Sequence, residues 1–345
     1  MIKRSDFVFS HNEFITYLRK KGIDPDKAVI NKIDHPFSMM VPKYYLDLIN
    51  WNDKDDPIRK MVITSSLEND IKKYELTDPI GDKMHEPVPG IVHRHKDRCL
   101  LMLTSICAVH CRFCFRKSLL KSSTYDYKKS IEYIKKHTEI WEVILSGGDP
   151  FMLTDEFLDE VITALKLIKH VKLIRFHTRT STVYPKRVTN NFVKILTKAK
   201  PLVIIFHINH PNEITPEFLK FLLKLRKTGA ILLSQTVLLK GVNDNSEVLI
   251  RLFKRLVEIG IKPYYLHHLD YAYGTHYFRV SVERGKKIYS EVRNQVSGYA
   301  IPEYVIDIPG GLDKIPVFWF NQVSRGTYQI TDSSGKLILY SDPVV

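Results

Sequence analysis

From residue 99 to about residue 297 the chain alternates between short apolar runs and longer amphipathic stretches. The apolar runs fall at 100–106, 143–146, 172–177, 202–208, 231–238 and 263–269. Segments with helical spacing follow them, near 127–137, 155–169, 186–199, 215–228, 246–260 and 280–297. A run such as Leu202-Val203-Ile204-Ile205-Phe206 has no polar face, the pattern of a strand covered on both sides. Strands of this kind joined by helices form a parallel sheet, because a parallel connection must cross back over the sheet. The alternation predicts an α/β fold, a TIM-type barrel or partial (β/α)6 barrel, spanning residues 91–315. In such barrels the chemistry gathers at the carboxyl ends of the strands. The polar clusters fall there. They are Cys107 to Cys114 after the first strand, Ser146-Gly147-Gly148-Asp149-Pro150 after the second, and His177-Thr178-Arg179 after the third. His207-Ile208-Asn209-His210 follows at the fourth, Gln235 lies on the fifth, and His267-His268-Leu269-Asp270 comes after the sixth.

Residues 1–90 read as a mainly helical N-terminal extension packed on that core. Apolar residues recur at helical spacing over 12–21 and 43–51, and Pro25, Pro36, Pro42 and Pro57 punctuate them. Residues 316–345 form a C-terminal segment. No stretch approaches the roughly 18–20 apolar residues of a membrane span. The polar start, Met1 to Asp6, has no apolar signal core, so a cytoplasmic location is expected. The net charge is +14, which raises the question of a nucleic-acid partner. The lysines are scattered in pairs such as Lys72-Lys73 and Lys286-Lys287, the pattern of solvated helix faces, so nucleic acid is not expected.

Three of the four cysteines, Cys107, Cys111 and Cys114, stand as C-x3-C-x2-C, with Cys99 apart. Four cysteines in so long a chain make no disulfide framework. Structural zinc takes four protein ligands, and no second cysteine pair follows Cys114. An iron–sulfur cluster held by three thiolates keeps one iron open for a small molecule. The rival reading, a basic zinc module that contacts RNA, lacks both the second ligand pair and an aromatic–basic stripe.

With the Ser146–Asp149 turn in register behind it, the cysteine motif resembles the radical S-adenosylmethionine (SAM) superfamily, in which a glycine-rich turn meets the methionine moiety of SAM. The likeness extends through Pro87-Val88-Pro89-Gly90, His93-Arg94-His95-Lys96-Asp97-Arg98, Cys111-Arg112-Phe113-Cys114-Phe115-Arg116, His207 to Glu213, Val237 to Asp244, Val296 to Tyr299 and Asp307-Ile308-Pro309-Gly310-Gly311. Together these resemble the lysine 2,3-aminomutase family, from about residue 35 to the end. Within it, Cys107 to Arg116 and the run at 206–210 look most like the elongation factor P (R)-β-lysylation enzymes. Asp307 with the Pro-Gly-Gly run instead reads like the free-lysine catabolic mutases. The extra C-terminal zinc cysteines of those mutases are missing here.

The resemblance implies an isomerase that converts L-lysine to (R)-β-lysine with a [4Fe-4S] cluster, SAM and pyridoxal 5′-phosphate (PLP). Cys107, Cys111 and Cys114 match the cluster ligands, and Lys314 the lysine that carries PLP. Arg94 and Arg98 match the cations on the PLP phosphate; His95 replaces a usual tyrosine between them. Ser146, Gly147, Gly148, Asp149, His207 and Gln235 would meet cofactor. Arg116 matches the partner of the substrate carboxylate, and Asp270 and Asp307 the partners of its side-chain ammonium. His177, His207 and His267 at strand ends read as either cofactor contacts or hydrogen-bonded wall residues. The implied partners are an electron donor such as flavodoxin or ferredoxin, and elongation factor P with its lysyl-tRNA-synthetase-like ligase. The tail resembles the mutases' segment that packs between subunits, which allows a homo-oligomer.

Overall fold

A computed structural model describes residues 2–25, 37–119, 125–332 and 335–343. Pro36, one of the punctuating prolines, lies outside them. The chain begins with β1 (Phe7–Val8), α1 (His11–Lys20), β2 (Val41–Pro42), α2 (Lys43–Leu46) and α3 (Pro57–Val62). The barrel follows as β3 (Ile91–His95), β4 (Arg98–Met102), α4 (Tyr127–Lys136), β5 (Glu142–Ser146), α5 (Asp155–Lys166) and β6 (Leu173–Thr178). Then come α6 (Thr180–Val183), α7 (Asn190–Thr197), β7 (Leu202–His207), α8 (Pro216–Arg226), β8 (Ile231–Val237), α9 (Ser246–Glu258) and β9 (Lys262–His267). The chain finishes with α10 (Val282–Arg293), β10 (Glu303–Asp307), β11 (Lys314–Pro316), β12 (Asn321–Ser324), β13 (Thr327–Thr331) and β14 (Leu337–Ser341).

One sheet runs in chain order from β3 to β11. Strands β4 to β10 are parallel, and antiparallel β3 and β11 fence the two edges. The sheet is thus an open barrel with one more parallel strand than the six predicted. Strand β10 was missed because its run, Glu303-Tyr304-Val305-Ile306-Asp307, is short and bounded by acids. Strand β7 is buried along five consecutive residues, as its continuous apolar run requires. The outer helices begin where a side-chain cap meets the first free amides: Asp126, Thr154, Thr189, Thr215, Asn245 and Ser281 each accept from a first-turn N–H.

Boundaries differ where local chemistry intervenes. The first predicted strand, 100–106, stops at Met102, because the following residues turn outward to pair with the glycine turn. The helix predicted over 186–199 starts at Asn190, after a separate 3-10 turn at Pro185–Arg187. The N-terminal extension is less helical than predicted: the helix expected over 43–51 ends at Leu46, and α3 waits for Pro57 at its first turn. Its apolar residues still find a core. Phe7, Phe14, Tyr45, Ile58 and Met61 pack with Val109 and Phe113 of the cysteine loop and with Tyr184, Leu239 and Leu269, which follow strands β6, β8 and β9. The extension therefore covers the carboxyl-end loops of the barrel.

Cys99 is buried on β4 in the main core, away from the other thiols. No helix among the described residues is long and apolar enough to cross a membrane.

Candidate active site

The loop carrying Cys107, Cys111 and Cys114 leaves β4 at the carboxyl end and is tied down on two sides. On one side it is bonded to the extension: His110 N donates to Met40 O at 2.8 Å and Arg112 N to Met61 O at 2.9 Å. The Arg112 guanidinium, fully buried, donates to both carboxylate oxygens of Glu68, at 2.9 and 2.6 Å. Lys117 adds a second cation 3.3 Å from the same carboxylate. On the other side stands the glycine turn after β5. Gly148 N donates to Thr104 O at 2.7 Å and Asp149 N to Ile106 O at 2.8 Å. A Cβ on Gly148 would lie 2.7 Å from the backbone nitrogen of Ile106 and closer still to its carbonyl, so only glycine lets the two loops meet.

These loops wall a cavity of about 140 Å³. The three cysteines, Ser146, Gly147, Gly148, Asp149, His207, Gln235, Arg116 and Asp270 all line it, so the tertiary structure brings most of the sequence-predicted residues to one place. Burial pushes the Cys111 thiol up to about 11, and it raises Cys107 further, aided by the neighbouring thiols and Asp149. Arg179 and Arg112 act the other way on Cys111. Arg179 and Arg112 beside Cys111, and Arg116 and Arg112 beside Cys114, offset negative charge on those two sulfurs.

Asp149 does not reach into the cavity as a free carboxylate. Its oxygens accept from Phe151 N, Arg179 N, Thr180 N and the Thr178 hydroxyl, at 2.7–3.0 Å. It braces the glycine turn instead. Burial pushes this carboxyl up, and those four donors oppose the rise.

A second cluster lies at the end of β9 and β10. Lys314 Nζ donates to Asp307 Oδ2 across the β10–β11 pair, where the two residues face each other in register. His267 Nδ1 is 3.4 Å from both the Lys314 ammonium and the Asp307 carboxylate. Burial pushes the Asp307 carboxyl up, but the Lys314 charge and His267 outweigh it and hold it well below the usual carboxylate range. Asp270 goes the other way: burial and the nearby Asp307 charge raise it to about 7. Asp270 lines the main cavity and feels Lys314, Asp307 and Arg116, so it connects the two clusters. His177, His207 and His267 each keep a buried Nε2 without a hydrogen-bond partner among the described residues. Burial and nearby arginines drive His177 well down and His207 to about 3; burial and Lys314 lower His267. All three are neutral rings at neutral pH.

The predicted phosphate cations make different contacts. Arg94 turns inward, donating to Ile80 O, with its buried Nε unpartnered among the described residues. Arg98 sits at the amino end of β4, half-exposed and paired with Asp97 at 2.7 Å. Burial lowers His95, which stands between them in sequence, and both guanidinium groups act on it in the same direction. Sequence reasoning missed Asp82, whose carboxylate accepts from Arg116 Nε at 2.7 Å. It also missed Arg179 and Asn209, which line the cavity. Arg179 follows β6 in a polar triplet noted for its position, which was the available signal; Asp82 lies in a turn with none.

The radical SAM superfamily model matches residues 101–262, from β4 to the start of β9. L-lysine 2,3-aminomutase of Methanococcus maripaludis is 40% identical over 328 residues, covering 93% of this chain and 76% of that protein. The chain belongs to the lysine 2,3-aminomutase family. L-lysine 2,3-aminomutase of Clostridium subterminale is 38% identical over 320 residues, covering 89% of this chain and 75% of that protein. The Escherichia coli protein of the same name is 37% identical, covering 89% of this chain and 95% of its own length. The chain is therefore a radical SAM isomerase, and superfamily membership implies SAM and a [4Fe-4S] cluster as its cofactors.

Proposed function

We propose that this enzyme converts L-lysine to (R)-β-lysine by 2,3-migration of the amino group, using PLP on Lys314. The supporting observation is the charge layout. A guanidinium, Arg116, lines the same cavity as Asp270, and Asp270 in turn feels Asp307 and Lys314. Lysine carries a carboxylate at one end and an ammonium at the other, so a guanidinium fork and a carboxylate pair match it end for end. An analogue without the ε-amine would leave two carboxylates facing each other.

Cys107, Cys111 and Cys114 would hold the cluster, and the Ser146–Gly148 turn would meet SAM. Lys314 offers an amine to PLP, and the unpartnered Arg94 Nε offers a buried donor to its phosphate. Arg98, paired with Asp97 through Nη1, would be the second cation offered to that phosphate. When bound, the cluster and SAM would supply hydrogen-atom abstraction, and PLP would supply the carrier for the amino group. The protein's own contribution is orientation. Arg116 fixes the carboxylate. Asp307, which holds the Lys314 ammonium here, takes up the substrate's ε-ammonium when Lys314 is engaged with cofactor, and Asp270 joins it. The neutral rings of His177 and His207 supply hydrogen-bond partners without adding charge. The extension over the mouth excludes water and oxygen from the loops it covers.

The likeness of Cys107 to Arg116 and of residues 206–210 favours elongation factor P as the destination of β-lysine, through its lysyl-tRNA-synthetase-like ligase. A flavodoxin- or ferredoxin-type donor would reduce the cluster. Anaerobic purification tests the cofactor assignment. Cys111→Ala should lose iron and SAM cleavage while Lys314→Ala keeps both but loses the absorbance of lysine-bound PLP. Iron retained in the first variant, or PLP absorbance in the second, refutes the corresponding role. Supplying the enzyme's product to the ligase and weighing elongation factor P tests the destination; no mass increase would favour free-lysine catabolism.

A further inference from the structure

Residues 78–85 span the open side of the barrel. Pro79 O accepts from Gly310 N at 3.2 Å, beyond the carboxyl end of β10, and Ile80 O accepts from Arg94 on β3, the opposite edge strand. Gly81 has φ +67°, and a Cβ there would lie 2.7 Å from the Gly310 carbonyl carbon, so this crossing is built for glycine. The next residue, Asp82, is buried. Its two carboxylate oxygens face two different arginines: Oδ2 is 2.7 Å from Arg116 Nε, and Oδ1 is 3.8 Å from Arg94 Nη2. Arg116 reaches Ser146 Oγ with Nη1 at 3.4 Å and stacks over Phe115 at 4.5 Å. Its Nε is thereby occupied by Asp82, and the residue lines the cavity.

We propose that Asp82 is a positioning residue that sets substrate-carboxylate recognition by fixing the orientation of the Arg116 fork. This rests on the reading of Arg116 as the carboxylate partner. A guanidinium has five donors in one plane, and a carboxylate locked on its Nε side leaves its Nη side pre-organised for a second carboxylate. Without that lock the side chain rotates over several rotamers, and the order lost must be restored on binding. Asp82 is a better lock than a surface acid because it is buried and held on the bridging segment. His85 N donates to Asp82 O at 3.2 Å, and Asp78 accepts from the amides of Asp82 and Lys83 at 2.9 Å. Its second oxygen, toward Arg94, ties this lock to the cation assigned to the PLP phosphate.

The test compares L-lysine with L-lysinamide, which lacks the anionic carboxylate, in reconstituted enzyme. Substrate affinity is read from the spectral change of lysine-bound PLP, with iron content and PLP occupancy measured alongside. The wild type should bind lysine more tightly than lysinamide. Asp82→Asn should weaken lysine by about ten- to a hundredfold, as for a charge-assisted hydrogen bond. It should leave lysinamide within about threefold, with iron and PLP unchanged; Asp82→Glu should recover part of the preference. Arg116→Lys should remove the preference, and adding Asp82→Asn to it should then cost little more, since the two act as one unit. Equal weakening of both ligands by Asp82→Asn, tighter lysine binding on its removal, or independent effects in the double variant overturns the proposal. A wild type, or an Arg116→Lys variant, whose lysine preference shows no dependence on Arg116 overturns the carboxylate assignment itself.

Discussion

With Asp270 as the proposed partner of the substrate ammonium, lysine binding should depend on pH in a direction the structure determines. The Asp270 carboxyl is raised to about 7, first by burial and next by the charge of Asp307, against weaker lowering by Lys314, Arg279 and Arg116. In the unfolded chain the same group titrates near the ordinary value of 3.8. It therefore enters the neutral range half-protonated, and only its ionised form attracts an ammonium. Sign follows directly: affinity for the ε-ammonium is full above pH 7 and is lost as pH falls through it. One pH unit below the midpoint about a tenth of the carboxyl is ionised, so KM for lysine should be roughly tenfold higher at pH 6 than at pH 8. Asp307, held well below the usual range, contributes no slope in this window. Stability carries the opposite sign: the raised carboxyl favours the folded form below the midpoint and that contribution fades as pH rises from about 4 to 7. The assay is KM for lysine from pH 5.5 to 8.5 with SAM saturating, in wild type and Asp270→Asn. A flat wild-type profile, or an unchanged slope in Asp270→Asn, would refute the assignment of this carboxyl to the ammonium.

Glu68→Gln should leave the buried Arg112 and Lys117 cations unmatched and destabilise the fold by about 3–5 kcal/mol, read by urea denaturation, with iron content falling because the cysteine loop loses its anchor. An unchanged urea midpoint would show that the extension does not hold that loop. Gly148→Ala should push the cysteine loop and the glycine turn apart, weakening SAM binding by tenfold or more and stability by about 1–3 kcal/mol, measured by equilibrium dialysis and urea denaturation; normal SAM affinity would show that the turn has slack.

Much of the barrel was legible in the sequence because its strands carry apolar residues into a shared core. Strand β7 is buried along five consecutive residues and reads as an unbroken apolar run, while β6 and β8 alternate buried with less buried positions. Their carboxyl ends had to be polar, since loops there meet water and ligand, so the cysteines, the glycine turn and Asp270 could be placed before the fold was known. Lys314 was legible only through a resemblance. One lysine among many has no periodicity, and its meaning comes from facing Asp307 across β10–β11, a pairing the missed strand creates. Asp82 and Glu68 were illegible for the same reason. Each lies in or beside a short 3-10 turn of the extension, whose local pattern says nothing of a distant arginine.

The chain's sequence by itself determined the kind of fold and the cysteine loop, through apolar periodicity and cysteine spacing, which are local properties. The tertiary structure alone decided which charges meet. It set Asp82 against Arg116, Glu68 against Arg112, and Asp149 inward as a brace. It also split Asp270 from Asp307 in protonation. Charge–charge energies depend on distance and burial, and both exist only once distant segments have packed.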